Sequence, residues 1–355
     1  MRKKPLGGNG FEVQQLWNRC GDDESSGGGK SGLYGEMKAT GNCELQNEWR
    51  RLIATVDMDA LQRKLGQLDN EPLLLEPRRL RERLDALDLL DAYFPDTAEP
   101  ESGGGSSALG LYAHARTIRD RLEAVNCELY DAIRREIQRG GGAETLLDWA
   151  HAAGKIEAGV GPANGMGYDY LDELTSGVFQ FEAPTGFEMH EAGPIEREPE
   201  LVFYQLTPAR HIFRLIGLTE LTASDVLIDL GSGLGHVPML VSICTRARSI
   251  GIELQANYVE RARECAQKLN LNKVSFIQED AREADLSAGT VFYLYTPFTG
   301  SAMRCVLERL RREAASRQIR ICTYGPCTFV VAEERWLEAD STPETDRIAV
   351  FRSRV

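Results

Sequence analysis

The sequence has no apolar run approaching the roughly 20 residues that a membrane-spanning helix requires. Met1-Arg-Lys-Lys-Pro5 is not followed by an apolar segment, so no secretory signal is read. Eight cysteines are spread along 355 residues with no C-x-x-C pair. Cys322 and Cys327 are neighbours without a histidine nearby, which argues against a zinc site and for reduced, core-type cysteines. No metal ligand set is expected, and the compartment expected is the cytoplasm. A basic excess is also missing. The net charge is −13; residues 200–355 balance 19 basic against 19 acidic side chains, so the whole deficit lies in residues 1–199. That half is a poor surface for phosphates, so nucleic acid is not expected as a partner, and neither is a membrane. Gly27-Gly-Gly-Lys-Ser31 is not a phosphate loop, because Glu24 stands where the first glycine belongs and no strand precedes it.

What is present falls into four stretches. Residues 1–47, rich in Gly, Ser and charge, read as a disordered tail. Residues 48–153 read as a helical module. Leu52, Val56, Leu61 and Leu65 suggest a first helix, and Leu80, Leu84, Leu87, Leu90 and Phe94 stripe a second after Pro77. Ile118, Leu122, Val125, Leu129 and Ile133 form a seam at helical spacing up to Gly140-Gly-Gly142, and a short helix over 144–153 ends at Gly154. The seam either packs within the chain or forms a homodimer coiled coil. Residues 154–199, with Phe179, Phe181, Phe187 and His190, read as a connecting or lid segment, and Tyr204 adjoins it. Residues 200–355 alternate strand and helix, which implies a mainly parallel sheet covered on both faces, closed by an antiparallel hairpin.

The centre of the last stretch is Val226–Glu253. An apolar strand, Val226–Leu230, runs into Gly231, Gly233 and Gly235; a helical stretch follows, and a second strand ends on Glu253. The glycines admit a ligand to the backbone, and the helix start aims free N–H groups at it. A carboxylate ending the second strand can accept both hydroxyls of a ribose. A dinucleotide and S-adenosylmethionine both fit. The dinucleotide fingerprint needs a glycine at 236, where His236 stands, and Asp229 suits an ammonium better than a pyrophosphate.

These residues resemble motif I of the class I S-adenosylmethionine-dependent methyltransferases. In the same order, Glu253 resembles the ribose acid, Gln278–Ala281 the adenine motif, and Tyr295-Thr-Pro-Phe298 the fourth-strand motif beside the acceptor. Tyr204–Pro208 with Asp229–Gly233 is also distantly similar to the non-SET histone lysine methyltransferases and their bacterial relatives. The resemblance implies a Rossmann-like α/β fold with seven strands in the order 3-2-1-4-5-7-6. It further implies S-adenosyl-L-methionine as cofactor, held by Asp229, Gly231, Ser232, Gly233, Gly235, Glu253, Asp280 and Ala281. Tyr295, Thr296 and Phe298 would wall an acceptor pocket, and the acceptor would be a protein or a small molecule. Two other readings stay open: a dinucleotide-dependent enzyme, and a binding protein that keeps the fold without turnover.

Overall fold

A computed structural model describes residues 58–95, 106–157, 169–180 and 205–354. The tail read over 1–47, Tyr204, and the positions Phe181, Phe187 and His190 lie outside the described residues. The chain divides into two units, 1–129 and 130–355. The division falls inside one long helix, whereas the sequence reading set a boundary at 153/154.

In the first unit, helix α1 (Met58–Asp69) leads through a 3₁₀ turn (Pro72–Leu75) to α2 (Leu80–Tyr93). The long α3 (Ser106–Gln138) begins in this unit. Leu61, Leu65, Leu90, Phe94, Ile118 and Leu122 share one apolar cluster. Ile118 and Leu122 are 0% exposed within the single chain, so this part of the seam is not available to a coiled-coil partner. The seam also shifts by one position. Val125 and Leu129 are only half-buried, and Asn126 and Tyr130 take the inner face. On α2 the same happens, because Leu84 and Leu87 are half-buried while Arg83 and Ala86 face inward. Arg83 is fully buried and donates to Asn126 and to the carbonyls of Leu74, Glu76 and Pro77. A buried guanidinium of this kind needs its donors filled, which a polar face of α3 and the open carbonyls of the 3₁₀ turn provide.

In the second unit, α4 (Ala143–Glu157) runs on past Gly154 rather than stopping there. Gly154 lacks a partner signal for a stop, and one glycine inside a helix costs only about 1 kcal/mol. A helix absent from the sequence reading, α5 (Tyr170–Phe179), lies within the stretch read as a connector. Its capping box is formed by Asp169 and Asp172. After α6 (Ala209–Thr219) the chain alternates as follows: β1 (Val226–Leu230), α7 (His236–Cys244), β2 (Arg248–Glu253), α8 (Ala256–Lys268) and β3 (Val274–Gln278). Then come β4 (Val291–Tyr295), α9 (Gly300–Ala314), β5 (Arg320–Tyr324), α10 (Cys327–Ala332), β6 (Leu337–Ala339) and β7 (Ala349–Ser353). One seven-stranded sheet results, in the order β3-β2-β1-β4-β5-β7-β6. The first five strands are parallel, and β7 is antiparallel to β5 and β6. β1, buried throughout, and β4, buried up to the half-buried Tyr295, form the middle, as their largely apolar runs demand. The order reverses beside β1, so the crevice beyond the carboxyl ends of β1 and β4 is where a ligand belongs.

Among the described residues no helix is long and apolar enough to cross a membrane, and no cluster of His, Cys, Asp or Glu could hold a metal ion. Cys127, Cys244, Cys265, Cys305, Cys322 and Cys327 are free thiols.

Candidate functional site

A cavity of about 130 Å³ opens at that crevice. Gly231 and Ser232 of the glycine turn line it, whereas Gly233 and Gly235 are not among its lining residues. Gly231 and Gly235 have φ of 86° and 82°, left-handed values that residues with a Cβ adopt reluctantly. Both also carry a packing demand. A Cβ on Gly231 would stand 2.5 Å from Cβ of Pro297, and one on Gly235 would stand 2.3 Å from the Phe276 ring. Gly233, at φ 51°, donates its N–H to Oε2 of Glu253 at 2.9 Å. Oε1 of Glu253 accepts from Gln255 N at the same distance. Glu253 thus ties the turn to the end of β2 while its other lone pairs face the cavity it lines.

Asp229 is 4% exposed and lines the cavity, and its carboxyl has no hydrogen bond or ion pair with any described residue. Burial, and then the charge of Glu253, push its carboxyl well above the ordinary carboxylate range. Burial likewise raises Glu253, against the pull of its backbone donors. Oγ of Ser232 is buried without a partner in the same wall. Two adjacent carboxylates and a vacant hydroxyl fit a ligand bearing a cation and several hydroxyl donors, and would repel a pyrophosphate.

Asp280 and Ala281 line the cavity as expected from the resemblance. The Asp280 carboxylate is gripped by Arg282, with contacts of 2.6 to 3.1 Å from Nη2 and Nε, and this hydrogen bonding lowers its pKa. His236 also lines the cavity. Its ring stands edge-on to Phe179 of α5 at 5.5 Å, and burial pushes its pKa down to about 3, so it is neutral. Phe179 thus packs on the first turn of α7.

Tyr295, Thr296, Pro297 and Phe298 line the same cavity, with Pro297 packed against Gly231. Phe298 is 5% exposed and belongs equally to the sheet core with Leu294, Met303 and Leu307. The Tyr295 ring lies on Tyr324 at 4.7 Å, and Tyr324 lies on His211 at 4.3 Å. The Thr296 hydroxyl turns away into the protein: it accepts from Cys327 N at 3.1 Å and donates to Tyr324 O at 3.3 Å. Among the cavity residues that sequence reasoning missed are Thr207 and Tyr293, whose hydroxyls meet at 3.1 Å. The available signal was a tyrosine placed among the apolar residues of β4.

Residues 221–324, which contain this cavity's glycine turn and both carboxylates, match the family described as "Methyltransferase domain". Over these residues the chain carries a methyltransferase domain, on a sheet with the class I strand order. The observed strand order is the one implied by that resemblance, and S-adenosylmethionine is the cofactor of the class. Among curated proteins none matches. Solved structures similar to this methyltransferase domain include an RNA methyltransferase from Salinibacter ruber in complex with S-adenosyl-L-homocysteine. It is 28% identical, with 42% of this chain and 92% of that one covered and a TM-score of 0.35. The Pyrococcus abyssi tRNA (uracil-54, C5)-methyltransferase, also in complex with S-adenosyl-L-homocysteine, is 19% identical, with 43% and 40% covered and a TM-score of 0.33. An rRNA methylase from Streptococcus thermophilus is 14% identical, with 41% and 97% covered and a TM-score of 0.32.

Proposed function

We propose that the chain transfers a methyl group from S-adenosylmethionine to an acceptor held against Tyr295, Pro297 and Phe298. The observation that carries this reading is Asp229: a buried carboxylate facing the cavity with no cation of its own. Such a group is costly unless a ligand supplies a positive donor, and the α-ammonium of the cofactor does so. Ser232 gives a hydroxyl to the same end, Glu253 receives the ribose, and Asp280 with Ala281 borders the adenine. Bound there, the cofactor supplies an electrophilic methyl group on a sulfonium. The same carboxylate pair disfavours the dinucleotide reading.

On the acceptor side the wall is largely aromatic and apolar, and the Thr296 hydroxyl is engaged inside the fold. An acceptor that arrives neutral, with a flat or apolar group beside the reacting atom, suits it better than a charged lysine ammonium. Positioning then supplies the rate, with no dedicated base. A protein or a small molecule is the acceptor we favour, because the acidic charge of residues 1–199 opposes polyanions. RNA enters the assay on equal terms, since the residues of the methyltransferase half are electrically balanced. The test incubates full-length protein and methyl-labelled cofactor with separated RNA, protein and small-molecule fractions of a lysate. Label in one fraction, lost on Glu253→Ala, supports transfer. Label in none, with no cofactor bound, overturns it.

A further inference from the structure

We infer that Thr296 is a positioning residue, a pin that fixes the distance between the acceptor wall and the glycine turn; this rests on the methyltransferase reading above. Its backbone sits at φ 40°, in the left-handed region that a β-branched residue avoids unless something holds it there. Three hydrogen bonds do so, and all go to the turn between β5 and α10. The hydroxyl accepts from Cys327 N at 3.1 Å and donates to Tyr324 O at 3.3 Å, while Thr296 N donates to Cys327 Sγ at 3.3 Å. Gly325, in that turn, leaves the room: a Cβ there would stand 2.9 Å from the Thr296 hydroxyl and 3.1 Å from the Tyr295 ring.

The next residue carries the effect across the cavity. Pro297 occupies the space where a Cβ on Gly231 would stand, 2.5 Å from its own Cβ. Gly231 and Ser232 in turn donate their N–H groups to Ile252 O, one residue before Glu253. One contiguous path therefore runs from the Tyr324–Cys327 turn through Thr296 and Pro297 to Gly231 and the cofactor end of β2. With its hydroxyl committed on both sides, Thr296 does not handle the acceptor proton. It sets where Pro297 and Phe298 stand relative to the methyl donor.

The test is amide hydrogen exchange by mass spectrometry on the full chain, with S-adenosylhomocysteine affinity measured by calorimetry. Thr296→Val keeps the branch and the volume but removes the hydroxyl. It is expected to speed exchange at least tenfold both at Phe298 and at Gly231–Ser232, and to weaken S-adenosylhomocysteine three- to tenfold. Thr296→Ser restores the hydroxyl and should return both readouts to within about twofold of the parent. If the valine variant does not fold, Thr296→Ala carries the same comparison with serine. Gly231→Ala pushes on the path from its other end and should speed exchange at Phe298. Faster exchange confined to Cys327, with Gly231–Ser232 unchanged, overturns the inference. So does a serine variant that behaves like valine. Failure of the parent to bind S-adenosylhomocysteine removes the methyltransferase reading instead, and the exchange data still decide whether the pin exists.

Discussion

Asp229 and Tyr293 are register partners on the adjacent parallel strands β1 and β4, and both line the cavity. The Asp229 charge adds to burial in holding the Tyr293 phenol well above its usual range, so Tyr293 stays protonated. Its hydroxyl meets that of Thr207, which precedes α6 by two residues, and so ties the segment entering the domain to the middle of the sheet.

The first prediction concerns that tie. Tyr293→Phe and Thr207→Val each leave a buried hydroxyl without its partner, at a cost of about 1–3 kcal/mol. The double variant loses both groups and should cost less than the sum of the single ones. Urea denaturation of the four proteins measures this. Strict additivity would contradict the bond.

The second prediction concerns pH. Asp172 accepts from Asp169 N and Ala209 N, linking the starts of α5 and α6, and burial raises its pKa to about 7. A carboxyl raised on folding gives stability that is present at low pH and is lost as pH climbs from the ordinary carboxylate range through about 7. His211 and His236, lowered by burial to about 4 and about 3, act oppositely: their contribution grows as pH rises toward the unfolded histidine value. In the parent these trends oppose each other between about pH 4 and 6.5, with Asp229 and Glu253, also raised by burial, on the side of Asp172. Asp172→Asn removes the falling one, so its stability should climb with pH more steeply than the parent's, by up to about 1.4 kcal/mol per unit. Parallel curves in thermal or denaturant melts across this window would refute the assignment.

The third prediction concerns the first unit. Arg83 fills its fork with Asn126 and three carbonyls at a site with no exposure. Lysine keeps the charge but not the planar fork. Arg83→Lys should therefore destabilise the unit by about 3 kcal/mol or more, read by chemical denaturation. A lysine variant that unfolds with the parent's midpoint would show that the fork is dispensable.

How far the sequence carried this picture follows from what each signal depends on. The glycine turn, the carboxylate ending β2 and the alternation of strands were legible because the requirements behind them are local: positive φ, a strand end, a 2.0 or 3.6 period. The roles of Arg83, Tyr293 and Thr207 were not legible, because each depends on a partner 43 or 86 residues away. The seam of α3 was read one step off at Val125 and Leu129, while Ile133 further along is buried as expected. A buried asparagine at 126 answers Arg83 on α2, and no apolar period can announce that. Thr296 lines the cavity, yet its hydroxyl points into the fold, toward Cys327 and Tyr324, which pairing of β4 with β5 brings beside it.

The central claim is that the buried carboxyl pair, Asp229 and Glu253, receives a cationic nucleoside. Isothermal titration of purified full-length protein with S-adenosylmethionine, S-adenosylhomocysteine and NADH tests it most directly, with Glu253→Ala alongside. Hydrogen bonds to a charged group are worth about 1.5–3 kcal/mol, so the variant should bind S-adenosylmethionine about 10- to 100-fold more weakly. NADH should give no heat of binding. Tight binding of NADH, or a Glu253→Ala protein that binds S-adenosylmethionine as well as the parent, would contradict the account.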